Sequence, residues 1–242
     1  MTKLASLKPS LIVAFTAPLW LFLSSGAFSQ DTDSPGPSMI QVEELKGSLG
    51  AAPSGTPRRI TLRTLELIKE FEGWRSMPYN DVAGYCTIGY GHLIALKRCE
   101  EIDLGRFANG LSEDEGQKLL LRDTVRARFA VEKLVNVPLS NSQFGALVSF
   151  VYNIGQGAFE KSTLRRKVNL GSFDLANGQF LRWVYSGGKV WKGLQNRRAC
   201  EQALFRNALA LNDEKKIDRS TCIALGAAPS DNELIDIGVG EK

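Results

Sequence analysis

The sequence predicts an α+β fold, a small antiparallel β-sheet followed by a larger set of helices. Two observations carry this. Residues 74–94, "WRSMPYNDVAGYCTIGYGHLI", alternate Tyr, Thr and Ile with Pro, Asn-Asp and repeated Gly, as tight hairpins do. From residue 112 onward, apolar residues recur at helical spacing behind residues that cap helices.

The elements follow in order. "TLRTLELIKEFEG" places Leu62, Leu65, Ile68 and Phe71 on one helical face, with Thr61 as cap and Gly73 past the end, so Glu72 falls in the last turn. The sheet comes next. Ser112 and Glu115 form a capping box, opening one helical segment that runs to Val135. "NSQFGALVSFVYNIG" starts at Asn141 and reads as a buried helix ending near Gly155. "STLRRKVNLG" and "SFDLANGQFLRWV" are shorter helices, and "LQNRRACEQALFRNALA" is the last one.

At 242 residues the chain suits one domain with appendages. Lys3 and Lys8 mark a short basic start, followed by an apolar run, residues 11–30, with a small-x-small site at Ala27-Phe28-Ser29. Residues 1–29 therefore read as a signal peptide cut after Ser29, favoured over a retained anchor by Pro18 and Ser24-Ser25. No other stretch is long and apolar enough to span a membrane. Residues 30–57 read as a flexible linker, 58–213 as the folded domain and 214–242 as an acidic, Gly/Ala-rich tail. The repeated "LGAAPS" at 49–54 and 225–230 is assigned no function.

Four cysteines in an exported chain imply two disulfides, and the short loops favour Cys86–Cys99 and Cys200–Cys222, the second pinning the tail. A metal site is disfavoured, since there is no CxxC spacing and His92 is the only histidine. Residues 58–213 hold 23 Lys and Arg against 16 Asp and Glu, a net +7 beside acidic appendages. That balance suits an anionic polymer: peptidoglycan, teichoic acid or nucleic acid.

Glu72 and Asp81 are separated by eight residues, and Thr87 follows after five more. A helix end, a turn and a returning strand can bring the three to one cleft. Glycoside cleavage needs a protonated acid at the leaving oxygen and a carboxylate that directs water. Glu72, beside Phe71 and Trp74, suits the acid; Asp81, on a turn beside Asn80, suits the ionised partner. Two acids at this spacing also occur by chance in many proteins, so spacing alone does not decide.

The surrounding residues do more. The Glu–8aa–Asp–5aa–Thr pattern, with "EG", "Y-D-x-x-G-Y" and "TIGYGH", resembles the lysozymes of tailed bacteriophages. Residues 147–171 and 180–205 resemble two further blocks of that family, and the likeness covers about 58–207. The resemblance implies a lysozyme-like fold with its active-site cleft between sheet and helical lobe. It implies hydrolysis of the β-1,4 bond between N-acetylmuramic acid and N-acetylglucosamine, with Glu72 as acid and Asp81 and Thr87 positioning water. It implies substrate-binding roles for Asn153 and Arg197, and a structural role for His92 paired with an acid on a later helix, Asp114 or Glu115 being candidates.

Gly89 and Gly91 would let the chain turn close to the sugar; they are no phosphate loop, having neither the lysine nor the helix. Trp183 and Trp191 are either sugar platforms or core, with core favoured for Trp183. No cofactor is implied, and the expected partner is the peptidoglycan glycan strand. Nucleic acid is not expected, nor a stable membrane contact once the leader is cut, and the protein should be a monomer, periplasmic or secreted. The leader, tether and four cysteines depart from the compact, cysteine-poor members of that family. Cys86 adjoins Thr87, so a disulfide there would fix the threonine's strand and opens a route to redox control. A lytic transglycosylase and a non-catalytic wall-binding protein are the alternatives.

Overall fold

The computed structural model describes residues 55–225 and 234–241. The leader, nearly all of the tether and both "LGAAPS" copies' proline-serine ends lie outside them. Helix α1 (Leu62–Glu72) leads into a three-stranded antiparallel sheet of order β1 (Arg75–Asn80), β2 (Cys86–Gly89), β3 (His92–Ala95). The helices α2 (Glu113–Asp123), α3 (Val125–Leu134), α4 (Asn141–Ile154), α5 (Gln156–Lys161), α6 (Thr163–Asn169) and α7 (Phe173–Asn177) follow. A short hairpin, β4 (Tyr185–Ser186) and β5 (Lys189–Val190), precedes α8 (Lys192–Phe205) and α9 (Arg219–Leu225).

The ends of α1 are set locally. The Thr61 hydroxyl accepts from the Thr64 amide, and Gly73, at φ 72°, ends the helix with its amide on the Lys69 carbonyl. The buried face is Leu65, Leu67, Ile68 and Phe71; Leu62, which the sequence places in the stripe, is 47% exposed. Helix α4 is buried along almost its whole length and runs from a Ser140–Gln143 capping box to Gly155. Its Gly145 admits α1: a Cβ there would stand 1.9 Å from Thr64 Oγ1, and Thr64 is fully buried.

Besides the helix read over 172–184, which ends at Asn177 with only a 3-10 turn at Phe180–Arg182 beyond it, three predicted elements differ. The single helix from 112 to 135 is broken at Thr124 into α2 and α3. The Leu121 carbonyl accepts from the Thr124 hydroxyl at 2.9 Å and from Arg128 Nη2 at 3.0 Å, so side chains compete for the helix ladder there. Helix α8 stops at Phe205 because Asn207 adopts φ 59°, a left-handed conformation asparagine tolerates, and its side chain accepts from Ser142 Oγ.

The tail is the third difference. Ile217, Cys222, Ile235 and Ile237 belong to the main core cluster. Ile235 and Ile237 donate their amides to the carbonyls of Arg182 and Tyr185, and Asp236 bridges Tyr185 in parallel. Glu241 accepts from Arg182 at 2.8 Å and from the Thr163 hydroxyl at 2.7 Å. The packing thus continues past residue 213.

Replacing Gly145 by Ala tests the close approach of α1 to α4. Alanine gains about 1 kcal/mol in a helix interior, but overpacking against Thr64 costs about 1–3 kcal/mol. Denaturant titration is expected to show a net loss of stability; a gain would contradict the contact.

Candidate active site

Glu72 is the last residue of α1, and its carboxyl is 5% exposed. Arg197 Nη1, from α8, donates to Glu72 Oε1 at 2.7 Å. Arg197 Nε donates to Glu201 Oε1 at 3.2 Å, and Nη2 to the Ser149 carbonyl of α4 at 3.3 Å. Ser149 Oγ donates to the same Glu201 oxygen at 2.8 Å. The other Glu201 oxygen accepts from Arg198 Nη1 at 2.5 Å, and Arg198 Nη2 donates to Asn153 Oδ1. Two carboxylates and two guanidiniums therefore neutralise each other in the interior, Arg198 and Glu201 being fully buried.

The guanidiniums respond differently to this environment. Burial lowers the Arg198 pKa to about 10, with the charge of Glu201 opposing and that of Arg197 adding to the shift. Burial acts to lower Arg197 as well, but Glu72 and Glu201 outweigh it and the net direction is upward. Arg197 therefore remains a fixed cation against Glu72. The aromatic flanks suggested by sequence have partners of their own. The Phe71 ring faces the guanidiniums of Arg197 and Arg219, and Trp74 stacks at 5.0 Å on Tyr90.

Asp81 sits in an unlike setting, at the turn after β1. Its Oδ1 accepts the amides of Ala83 and Tyr85, each at 2.9 Å, so one oxygen builds the turn and the other lies outside it. Thr87 is on β2, 1% exposed, and its hydroxyl donates to the Tyr85 carbonyl at 3.1 Å. Tyr79 stands opposite Thr87 in the sheet register. Burial raises the Tyr79 phenol's pKa; Arg75 opposes this, and the charges of Glu72 and Asp81 both add to it. One phenol thus lies within electrostatic reach of both carboxylates.

The remaining predicted residues have clear places. His92 Nδ1 meets Asp123 Oδ2 at 2.9 Å, so the partner is the last residue of α2 and not Asp114 or Glu115. Gly89 and Gly91 turn β2 into β3 at φ 69° and 81°, and a Cβ on Gly89 would touch the Trp74 ring at 3.5 Å. Asn153 and Arg197 are both buried, with Asn153 Oδ1 and the Arg197 guanidinium engaged in the charge network; neither stands on an exposed wall. Trp183 is fully buried, and Trp191 is partly buried, packed on the core with Nε1 donating to the Ser186 carbonyl. Cys86 is bonded to Cys99, and Cys200 to Cys222. Among the described residues no group of His, Cys, Asp or Glu is placed to hold a metal ion, and no described helix is long and apolar enough to cross a membrane.

Sequence reasoning did not find Ser149, Arg198, Glu201 or Tyr79. The four-residue spacing of Arg197 and Glu201 on a helix was the available signal. Replacing Glu201 by Gln leaves two guanidiniums facing one carboxylate, and breaking a buried pair this way costs about 3–5 kcal/mol. A Glu201→Gln, Arg198→Met double variant should recover part of that loss. Chemical denaturation measures both, and a loss below about 1 kcal/mol for the single variant would contradict a charged network.

The phage lysozyme family model matches residues 69–201. The endolysin of Bacillus phage B103 is 41% identical over 160 residues, covering 65% of this chain and 56% of that protein. The SAR-endolysin of Escherichia phage Mu is 37% identical over 142 residues, covering 59% of this chain and 78% of that protein. The chain thus spans a little over half of the Bacillus phage relative's length. Among solved structures, the muramidase domain of SpmX from Asticaccaulis excentricus superposes with a TM-score of 0.54 at 34% identity, covering 61% of this chain and 97% of that one. With its small sheet, its larger helical lobe and a family match over more than half its length, the chain belongs to the phage lysozyme family.

Proposed function

We propose that this protein is a muramidase, hydrolysing the β-1,4 bond between N-acetylmuramic acid and N-acetylglucosamine in peptidoglycan. The observation that carries the reading is the contrast between two carboxyls in one neighbourhood. Glu72 is shielded from water and held by a fixed cation, whereas Asp81 sits at a turn with one oxygen outside the turn's hydrogen bonds. The SpmX relative is a muramidase domain, and the B103 and Mu relatives are endolysins, which supports the substrate class.

In this reading the acting form of Glu72 is the protonated one, with the Arg197 contact kept as a hydrogen bond to its carbonyl oxygen, and it gives its proton to the leaving glycosidic oxygen as the bond to the anomeric carbon breaks. A water attacks the opposite face of that carbon and passes a proton to Asp81, and inversion results. Thr87 holds the water. Its own hydrogen is engaged by the Tyr85 carbonyl, so its oxygen is presented as an acceptor. The Cys86–Cys99 bond clamps the residue next to Thr87, and Cys86 also donates its amide to the Lys97 carbonyl at 2.7 Å. Arg197 orients Glu72, and His92 with Asp123 ties β3 to α2. Export is part of the proposal. It rests on the apolar leader at 11–30 and on two disulfides, which persist in oxidising compartments. The glycan strand is the proposed partner, bound by a monomer without a cofactor.

Digestion of purified peptidoglycan followed by mass spectrometry tests the reading. Wild-type protein should release reducing ends, and Glu72→Gln should lose at least about 100-fold in rate. Thr87→Ser should remain active while Thr87→Ala falls well below it, because serine keeps the hydroxyl and alanine loses it. Anhydro ends would instead identify a transglycosylase, and no release by folded wild-type protein would leave a wall-binding protein.

A further inference from the structure

Tyr79 and Thr87 are directly opposed on antiparallel strands. Such pairs project from the same face of a sheet with their Cβ atoms about 4.5–5.5 Å apart. Arg75 lies with its guanidinium carbon 4.4 Å over the Tyr79 ring centroid, covering one ring face. The Tyr79 hydroxyl forms no hydrogen bond with any described residue. Burial, together with Glu72 and Asp81, keeps the proton on that oxygen against the opposing pull of Arg75. Among the described residues the phenol therefore has no acceptor, and it lies within electrostatic reach of both carboxylates on the residue paired with the threonine.

A hydrogen-bond inventory of the attacking water shows what such a donor can serve. The water has two hydrogens and two lone pairs. Asp81 can accept one hydrogen at the oxygen outside its turn, and Thr87 the other, since the threonine's own hydrogen is engaged by Tyr85. One lone pair forms the bond to the anomeric carbon. The second has no partner among these groups. We propose that the Tyr79 hydroxyl donates to this second lone pair, making Tyr79 a third fixed point on the nucleophilic water.

The proposal rests on the muramidase reading and adds a water-holding residue to it. The balance of the step is unchanged: one water O–H bond breaks toward Asp81, the oxygen–carbon bond forms, the glycosidic bond breaks, and the leaving oxygen takes the Glu72 proton. Tyr79 keeps its own proton throughout. Its contribution is orientation, so it acts on the chemical step and leaves sugar binding unaffected.

Steady-state hydrolysis of soluble peptidoglycan fragments by wild type, Tyr79→Phe and Glu72→Gln is the test, with thermal melts alongside. Phenylalanine keeps the ring beneath Arg75 and removes only the hydroxyl. The expected result is a fall in kcat of about tenfold for Tyr79→Phe, the worth of one hydrogen bond, with KM and the melting temperature unchanged. A kcat equal to wild type overturns the proposal. So does a change confined to KM, or a kcat loss matched by a lowered melting temperature. If wild type is inactive, or Glu72→Gln retains the wild-type rate, the muramidase reading itself fails and this assignment falls with it.

Discussion

The ion pair between Glu72 and Arg197 is the interaction on which the arrangement depends. It joins the last residue of α1 to α8, and its continuation through Glu201, Ser149, Arg198 and Asn153 brings in α4. Buried charges are tolerated only when each is paired and its remaining hydrogen-bonding positions are satisfied. The set is neutral, and most of its donors and acceptors are engaged within it. Three helices are thereby held in one relation. Because α1 ends at Gly73 and runs directly into β1, the same relation fixes where the sheet begins.

The sheet then needs few residues to present the rest. A turn closed by Asp81 and a strand clamped by Cys86–Cys99 place Asp81 and Thr87 on a short, stiff unit. The glycines at 89 and 91 supply the positive φ angles for the next turn, and Trp74 packs against the first of them. Electrostatic rigidity on the helical side and covalent rigidity on the sheet side converge on Tyr79, whose phenol senses Glu72 and Asp81 together. The proposed catalysis by positioning would need both sides to be stiff, since small displacements of water or acid are costly in rate.

Much of this was legible in the sequence because it is written in local chemistry. Thr61 and Gly73 mark the ends of α1, the Ser112–Glu115 box opens α2, and the Asn-Asp and Gly pattern marks the hairpins. The residues that escaped depend on distant partners. The helix breaks at Thr124, where the Leu121 carbonyl takes both its hydroxyl and the Arg128 guanidinium, a convergence that sequence does not display. Asn207 ends α8 in a conformation that a helical pattern does not reveal. Ile235 and Ile237 carry a period-two signal too short to stand out in an acidic, Gly/Ala-rich stretch. Arg198 and Glu201 look like surface charges until the helices that bury them are assembled, so the network behind Glu72 was the least readable part.

A double-mutant cycle on folding stability addresses the Glu72–Arg197 link most directly, using Glu72→Gln, Arg197→Met and the pair together. If the ion pair holds the helix end to α8, the two changes should couple by about 1–3 kcal/mol, as contacting charged residues do. Additivity within about 0.5 kcal/mol would show that the two side chains do not restrain each other, and the account would fail.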